Sequence, residues 1–385
     1  MTSDRPGSAF SRFFPGDSVF YGLYIHVPFC LRKCGYCAFY SIVPEKDLIK
    51  RFLKKIEIDL SAPETIPLLP GVKSVFIGGG NPTSIGESAF TELLGVIKSK
   101  LDPSRIIEWT VETNPETFPT SICEVLKPTA GLRVSIGLQR LKDDELQILC
   151  RQSSHSKGVA ALESALSITS KVGIDLILGI PGCPSVKRDL EKLLSRYQLA
   201  HVSSYFLTKE EGTPLSNLIA SGKFPDPENV GPEELFEVIE VLENFGFEHY
   251  EISNFARDGM YCLHNLNYWL GGDFIGIGPS AVGTISGKRI SQPSSLEDWL
   301  SGKPPEVEVI SRNSSRREYI MLRMRLLREG LNLQSLAELH GKLPDSFSHS
   351  VKKHMDLGNI EEAHENIRLT SKGLPFANKV ISDLF

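Results

Sequence analysis

The sequence predicts an α/β fold: a set of parallel strands with a small domain appended at the C-terminus. Six short apolar runs, β-branched or aromatic, alternate with helical patterns over the first two-thirds of the chain. Such alternation is typical of a parallel sheet with right-handed crossovers. The last part reads instead as three helices, a short strand-like stretch and a final helix, which is the pattern of a small helical or winged-helix-like domain.

The six strand candidates are mostly apolar on both faces, as expected for strands buried within a parallel sheet. They cover residues 22–27, 73–77, 106–111, 133–138, 173–178 and 201–207. Helices are predicted between them at residues 46–60, 88–100, 143–150, 157–171 and 185–197. Six such units fit either a partial barrel or an open doubly wound sheet. In both arrangements the ligand site lies at the C-terminal ends of the strands.

Length and composition limit the class of protein. The chain has 385 residues, of which 41% are hydrophobic and 23% charged, and this indicates a folded protein larger than one small domain. We expect an N-terminal segment at 1–20, a main domain at 21–285 and a C-terminal domain at 304–385, with residues 302–305 as a linker.

Charge and hydropathy limit the location and the partners. With a net charge of -5, the chain lacks the excess of basic residues that is typical of nucleic-acid-binding proteins. No apolar run approaches the ~20 residues that cross a bilayer, and the N-terminus has no signal-peptide core. A cytoplasmic protein without a nucleic-acid partner is expected, and peripheral membrane association is left open.

The strongest chemical signal is a loop with three cysteines, Cys30, Cys34 and Cys37, directly after the first predicted strand. Thiolates bind soft metals, and a tight loop brings three of them to one corner of a cluster. Structural zinc normally takes four protein ligands, and position 39 is Phe39. Three thiolates on a four-iron cubane would leave one iron open. The prediction is a 4Fe-4S cluster, and the alternative is three structural cysteines or an incomplete zinc site.

With this C-x3-C-x2-C loop the chain resembles the radical S-adenosylmethionine (SAM) superfamily. The resemblance implies a partial (β/α)6 barrel and a cluster whose open iron is chelated by the amino and carboxylate groups of SAM. An external electron donor then allows SAM to be cleaved to methionine and a 5′-deoxyadenosyl radical. The run GGGNP at 78–82 is similar to the family's glycine motif, with Asn81 in place of the usual threonine.

The resemblance also implies which residues contact SAM. Most of them end or follow a predicted strand, while Arg151 lies in CRQSSH where the family usually has GRxH. Tyr24 and Tyr36 would shield the cluster or pack on adenine. The full set is Tyr24, Tyr36, Gly79, Gly80, Asn81, Glu112, Gln139, Arg151 and Asp175.

A longer series of motifs points to one part of the superfamily. YIHVPFC, FIGGGNP, ETNPE, IDLILGIPG, YEISNFA and HNLNYW occur in the order seen in oxygen-independent coproporphyrinogen III oxidases and their relatives. True oxidases usually carry a further cysteine two residues after the third ligand, where this chain has Phe39. The HemW-type haem chaperones carry HNxxYW, which here begins at His264. The resemblance implies His264 as an axial haem ligand, and a packed structural histidine is the alternative.

The sequence therefore favours a haem chaperone that binds a 4Fe-4S cluster, SAM and haem. An oxygen-independent coproporphyrinogen III oxidase, a coproporphyrinogen dehydrogenase-type oxidoreductase, is the second hypothesis. A radical SAM enzyme with another substrate is the third, and no catalytic residue is assigned. The expected partners are haem or porphyrin, a haem-receiving client protein and an external electron donor, and a homodimer is left open.

Overall fold

Six parallel strands form the centre of the computed structural model, which describes residues 20–385. Neighbours in sequence are neighbours in the sheet. The strands are β1 Tyr21–Val27, β2 Val72–Gly79, β3 Glu108–Thr113, β4 Leu132–Gln139, β5 Lys171–Leu178 and β6 His201–Phe206. The predicted α/β fold is confirmed, and each strand candidate overlaps one of these strands.

Helices cover one face of these strands. They are α1 Lys46–Leu60, α2 Glu87–Lys100, α3 Thr120–Leu126, α4 Asp143–Ile148, α5 His155–Leu166 and α6 Lys187–Arg196. Alternate strand residues such as Leu23, Ile25 and Val75 are fully buried in one core with Phe52 of α1 and Phe90 of α2. Because side chains alternate along a strand, the residues between them face the inside of the barrel, and these are largely polar.

Two predicted helix ends were wrong. The helix predicted at 157–171 ends at Leu166, and Lys171 already begins β5, whose β-branched and aliphatic residues pair with β4 and β6. The helix predicted at 143–150 ends at Ile148, since Cys150 has a φ of 55° and cannot continue it.

Further strands extend both edges of the sheet to twelve strands. The antiparallel pair β7 Phe247–Glu251 and β8 Asn254–Arg257 continues from β6. On the other edge β9 Phe274–Ile277 runs parallel to β1 and is followed by β10 Val282–Ile285, β11 Lys288–Ser291 and β12 Glu306–Val309. The connecting helices are α7 Pro214–Ala220, α8 Glu233–Asn244, α9 Leu263–Trp269 and α10 Leu296–Leu300.

The C-terminal part has its own small sheet and core. Its elements are α11 Arg312–Arg323, β13 Leu331–Asn332, α12 Leu333–His340, α13 Asp345–Asp356, β14 Ile360–Ala363, β15 Asn366–Leu369 and α14 Ala377–Asp383. The strand order is β13-β15-β14. Met324, Leu336, Ile367 and Val380 are fully or almost fully buried in its core. The mixture of helices with a three-stranded sheet agrees with the winged-helix-like pattern.

The domain boundaries stay predictions. Strand β12, at residues 306–309, still pairs with β11 of the large sheet, although it follows the expected linker. The N-terminal segment at 1–20 lies outside the described residues except for Phe20. Among residues 20–385 there is no helix both long and apolar enough to cross a bilayer.

Candidate functional site

The cysteine loop lies at the C-terminal end of β1 and is closed by backbone hydrogen bonds. The N–H of Ile42 donates to the carbonyl of Pro28 at 2.8 Å, and the N–H of Cys30 donates to the carbonyl of Ile42 at 2.9 Å. At its tip, Gly35 donates to Leu149 at 3.2 Å and accepts from the N–H of Leu215 at 2.8 Å. The loop is therefore held at its base and at its tip.

Cys30, Cys34 and Cys37 are free thiols with partly exposed side chains. Within residues 20–385, no three or more histidine, cysteine or carboxylate side chains are grouped so that they could hold one metal ion. A structural zinc site takes four protein ligands, whereas three thiolates can each bind a different iron of a cubane. The chemistry of this three-cysteine donor set therefore fits a 4Fe-4S cluster better than a structural zinc ion.

Burial raises the pKa of the Cys30 thiol to about 11 and also raises the pKa of the Cys37 thiol. Without a metal these thiols are protonated at neutral pH. Since the thiolate is the metal ligand, cluster assembly in this loop must release their protons.

Arg151 connects the loop to the ends of β3 and β4. Its side chain is buried, and Nη1 donates to Sγ of Cys34 at 3.2 Å. Nη2 donates to the carbonyl of Gly137 at 2.6 Å and to Oδ1 of Asn114 at 3.0 Å. Arg151 therefore joins the cysteine loop to the ends of β3 and β4, and its contact with the loop is to a cysteine sulfur. Asn114 was not predicted, and its position two residues after Glu112 in ETNPE was the available signal.

The glycine loop lies directly against the segment before Cys30. The N–H of Gly80 donates to the carbonyl of Val27 at 2.9 Å, and the N–H of Asn81 donates to Phe29 at 2.7 Å. A Cβ on Gly80 would be 2.6 Å from the Phe29 carbonyl oxygen, so a larger residue would push the two segments apart. Gly79 has a φ of 107°, which favours glycine. The glycine loop and the segment that leads into the cysteine loop are therefore in direct backbone contact.

The side chain of Asn81 is directed into the protein. It is almost fully buried, with Nδ2 donating to Oγ1 of Thr117 at 2.8 Å and Oδ1 accepting from Oγ1 of Thr83 at 3.0 Å. Thr83 and Thr113 extend this network through a hydroxyl pair at 2.6 Å. The Asn81 amide therefore stabilises the glycine loop through hydrogen bonds inside the protein and does not face a ligand in this conformation.

Two carboxyl groups, Glu112 and Asp175, lie on the inside of the barrel. Oε2 of Glu112 accepts from the N–H of Gly79 at 3.2 Å, and Oδ1 of Asp175 accepts from the Ser135 hydroxyl at 3.1 Å. Burial, and then the charge of Asp175, raise the pKa of Glu112 to about 8. Burial also raises the pKa of Asp175, against hydrogen bonds from Ser203 and Ser135. Such a pair favours a ligand with a positive charge.

The remaining predicted SAM residues are Gln139, Tyr24 and Tyr36. Gln139 ends β4 with a φ of 67°, and its Nε2 would be 2.9 Å from a Cβ on Gly137. The hydroxyl of Tyr24 is hydrogen-bonded to Nδ1 of His26 at 2.9 Å, and its ring packs at 6.0 Å from Phe76. Tyr36 packs within the cysteine loop beside a buried cluster that includes Leu149 and Ile177.

His264 lies at the opposite end of the barrel from the cysteines. It is fully buried on α9, with Nδ1 hydrogen-bonded to the Ser74 hydroxyl at 2.8 Å and Nε2 to the Tyr268 hydroxyl at 2.6 Å. Its backbone N–H donates to Oε1 of Glu108 at 3.2 Å. Burial lowers the pKa of His264 to about 3, so the ring is neutral.

This environment matches the packing alternative for His264. Ser74 and Glu108 lie near the starts of β2 and β3, so α9 closes the N-terminal end of the barrel. Neither ring nitrogen is available to a haem iron in this conformation. Ligation would require a hydrogen bond to break and α9 to leave its place.

Comparison with known proteins agrees with this geometry. The model of the radical SAM superfamily matches residues 24–193, which include all three cysteines of the loop. Coproporphyrinogen III oxidase (HemN) from Escherichia coli has the same fold, with a TM-score of 0.77 over 96% of this chain and 90% of that chain at 20% identity. The heme chaperone HemW from Buchnera aphidicola of Schizaphis graminum is 32% identical over 93% of this chain and 96% of its own length.

The chain belongs to the HemW family of radical SAM proteins.

Other relatives agree with this assignment. The HemW protein of Bacillus subtilis is 29% identical over 93% of this chain and 97% of its own length. Mouse mitochondrial radical S-adenosyl methionine domain-containing protein 1 is 35% identical over 68% of this chain and 60% of its own length. Membership of the superfamily implies a 4Fe-4S cluster and SAM.

Proposed function

We propose that this protein is a haem chaperone, which binds haem and delivers it to haem proteins with the help of a 4Fe-4S cluster and SAM. The similarity to HemW proteins over nearly the whole of both chains carries this proposal. The likeness to coproporphyrinogen III oxidase is at 20% identity and therefore supports only the fold.

The cluster would be held by Cys30, Cys34 and Cys37, and together with SAM it supplies one-electron chemistry when an external donor reduces it. Around it, Gly79 and Gly80 leave room for the methionine end of SAM. Glu112 and Asp175 would receive its positive amino and sulfonium groups. Arg151 and Gln139 would bound the pocket on the side of β4, and Tyr24 and Tyr36 would supply aromatic surface for adenine.

Phe39 favours the chaperone over the oxidase. It occupies the position where true oxidases usually have a further cysteine, and its side chain is 67% exposed. An exposed aromatic ring beside the cysteine loop cannot perform the thiol chemistry of that position, but it does offer apolar surface to a porphyrin ring.

Haem ligation by His264 is a separate part of the proposal. It needs a conformation in which α9 has moved, because both imidazole nitrogens are engaged in this one. Haem binding to the protein does not depend on His264 if another residue supplies the axial ligand.

The proposal also includes a client protein, an electron donor and a cytoplasmic location. A reducing compartment is supported by the described cysteines, which are all free thiols. A homodimer and peripheral membrane association would be tested by the mass of the loaded protein in solution and by its sedimentation with membranes.

One experiment separates chaperone from oxidase. The protein is purified without oxygen, its cluster is reconstituted, and it is titrated with haem; a second sample receives coproporphyrinogen III, SAM and a reductant. We expect stoichiometric haem binding and no vinyl product. SAM-dependent formation of protoporphyrinogen would make the protein an oxidase, and binding of neither tetrapyrrole would leave a radical SAM enzyme with another substrate.

A further inference from the structure

A second group of charged side chains lies in the C-terminal part of the chain, distant in sequence from the cysteine loop. The N-terminal end of α11 and the C-terminal end of α12 border a cavity of about 350 Å³. Among the described residues, those that line it include no carboxylate and no apolar side chain. They are Arg312, Asn313, Arg316, His340, Gly341 and Lys342.

Three cations of this cavity have no anionic partner within the described part of the chain. Arg312, Arg316 and Lys342 form no ion pair there, and Arg316 donates from Nη2 to the neutral amide oxygen of Asn313 at 2.6 Å. Glu318 of the same helix pairs instead with Arg289 at 2.7 Å. Like charges held close together repel, and a bound anion would relieve that repulsion.

The backbone of the cavity makes room for these cations. Gly341 has a φ of 79°, and a Cβ on it would be 2.9 Å from Nη2 of Arg312. Burial, and then the charges of Arg312 and Arg316, lower the pKa of His340. Both guanidinium groups therefore lie close enough to the imidazole of His340 to disfavour its protonation. A single cation would be enough to complement the helix dipole at the end of α12, and the cavity has three.

We propose that this cavity binds a phosphate group. Guanidinium groups form paired, charge-assisted hydrogen bonds to phosphate oxygens, and Lys342 and the Asn313 amide add further donors. The N-terminal end of α11, a helix of 12 residues, adds a favourable field for an anion. A porphyrin ring is not the ligand, because the described lining has no apolar surface.

The phosphate has two possible sources, a soluble phosphate monoester or the headgroup of a phospholipid. Leu339 directly precedes His340, and Val309 lies three residues before Arg312. Both side chains are exposed, and they would be available to contact the lipid in the second case. This proposal does not depend on the cluster or on haem binding, so its failure would leave the proposed function unaffected.

The test uses the full-length protein with its cluster and two probes. Glycerol 3-phosphate is titrated by calorimetry, and vesicles of phosphatidylglycerol in phosphatidylcholine are tested by co-sedimentation against phosphatidylcholine alone. The variant is Arg312→Gln with Arg316→Gln. The control is Arg317→Gln, which removes an exposed arginine of the same helix that does not line the cavity.

We expect at least one probe to bind the native protein and the control equally, and the double variant about tenfold or more weakly. Glycerol 3-phosphate binding identifies a soluble ligand, and vesicle binding alone identifies a headgroup. Failure of both probes at low salt, or equal binding by the double variant, overturns the proposal. If the thermal unfolding midpoint of the double variant differs from that of the control, the single variant Lys342→Gln, at an exposed position, is tested in its place.

Discussion

Nη1 of Arg151 lies 3.2 Å from Sγ of Cys34, so a buried guanidinium reaches directly to a predicted cluster ligand. A hydrogen-bond donor beside a cluster sulfur stabilises the reduced, more negative cluster. In Arg151→Met we therefore expect a more negative reduction potential in the absence of SAM, measured by a redox titration followed by electron paramagnetic resonance. Arg196→Met, on the surface, is the control. An unchanged potential in Arg151→Met would contradict a contact with the cluster.

The loop cysteines should be required for the cluster, and other cysteines should not. Cys34→Ala removes one of three thiolates, so the reconstituted protein should lose the 4Fe-4S absorbance and most of its iron. Cys183→Ala, a partly buried cysteine outside the loop, is the matched control and should keep both. A full 4Fe-4S spectrum in Cys34→Ala would show that the ligand assignment is wrong.

Gly80 tests the contact between the glycine and cysteine loops. Gly80→Ala places a Cβ 2.6 Å from the carbonyl oxygen of Phe29, and a backbone group cannot rotate away. We expect a loss of stability on the order of 1–3 kcal/mol and weaker SAM binding, measured by denaturant unfolding and calorimetry. Gly95→Ala on α2, where nothing lies within 4 Å of the new atom, should be neutral or stabilising. Equal behaviour of the two variants would argue against a close approach at Gly80.

Glu112 should couple SAM binding to pH. Its pKa of about 8 means that the carboxyl is mostly protonated at pH 7 in the free protein. A positive SAM group favours the ionised form, so binding should release up to one proton, and the affinity should rise with pH until about 8. Calorimetry in buffers of different ionisation enthalpy measures the number of protons released on SAM binding. In Glu112→Gln the release should disappear, and release that persists would exclude Glu112 as its source.

His264 should contribute strongly to stability. His264→Ala removes a fully buried ring and leaves the hydroxyls of Ser74 and Tyr268 without their partner. A loss on the order of 2–4 kcal/mol is expected from the cavity and the unpaired groups, measured by thermal and denaturant unfolding. His349→Ala, at an exposed position of α13, is the control. If stability is unchanged but haem binding is lost, His264 is a haem ligand and not a packing residue.

The sequence was informative where strands were long and carried aliphatic residues on the face toward the helices, although the expected apolar character of the other face was wrong, because that face lines the largely polar inside of the barrel. Runs such as GIDLIL bury aliphatic residues against helices and have no good alternative structure, so the six central strands could be predicted. Strands β7 to β12 have four or five residues each, and their pairing depends on neighbours far away in sequence. Short strands of that kind carry no periodic signal of their own.

The site shows the same division. The cysteine loop and Gly80 could be proposed from the sequence because thiolate ligation and a close backbone approach each require those residue types. The close approach at Gly80 is present in the structure, and the ligand role of the cysteines stays a prediction. Which polar groups face a ligand and which support the loop could not be predicted. Asn81 and His264 are both polar residues in motifs, and both are fully engaged inside the protein. Only the three-dimensional packing separates such residues from those that face a ligand.

Helix α9 also joins parts of the chain that are synthesised far apart. Glu108, at the start of β3, accepts hydrogen bonds from the backbone of Leu263 and His264, which lie 155 and 156 residues later in the chain. A nascent chain that already contains the cysteine loop therefore still lacks the helix that covers the starts of β2 and β3. A fragment that stops before α9 would leave the buried Glu108 carboxylate without these two donors, so truncation there is expected to destabilise this end of the sheet.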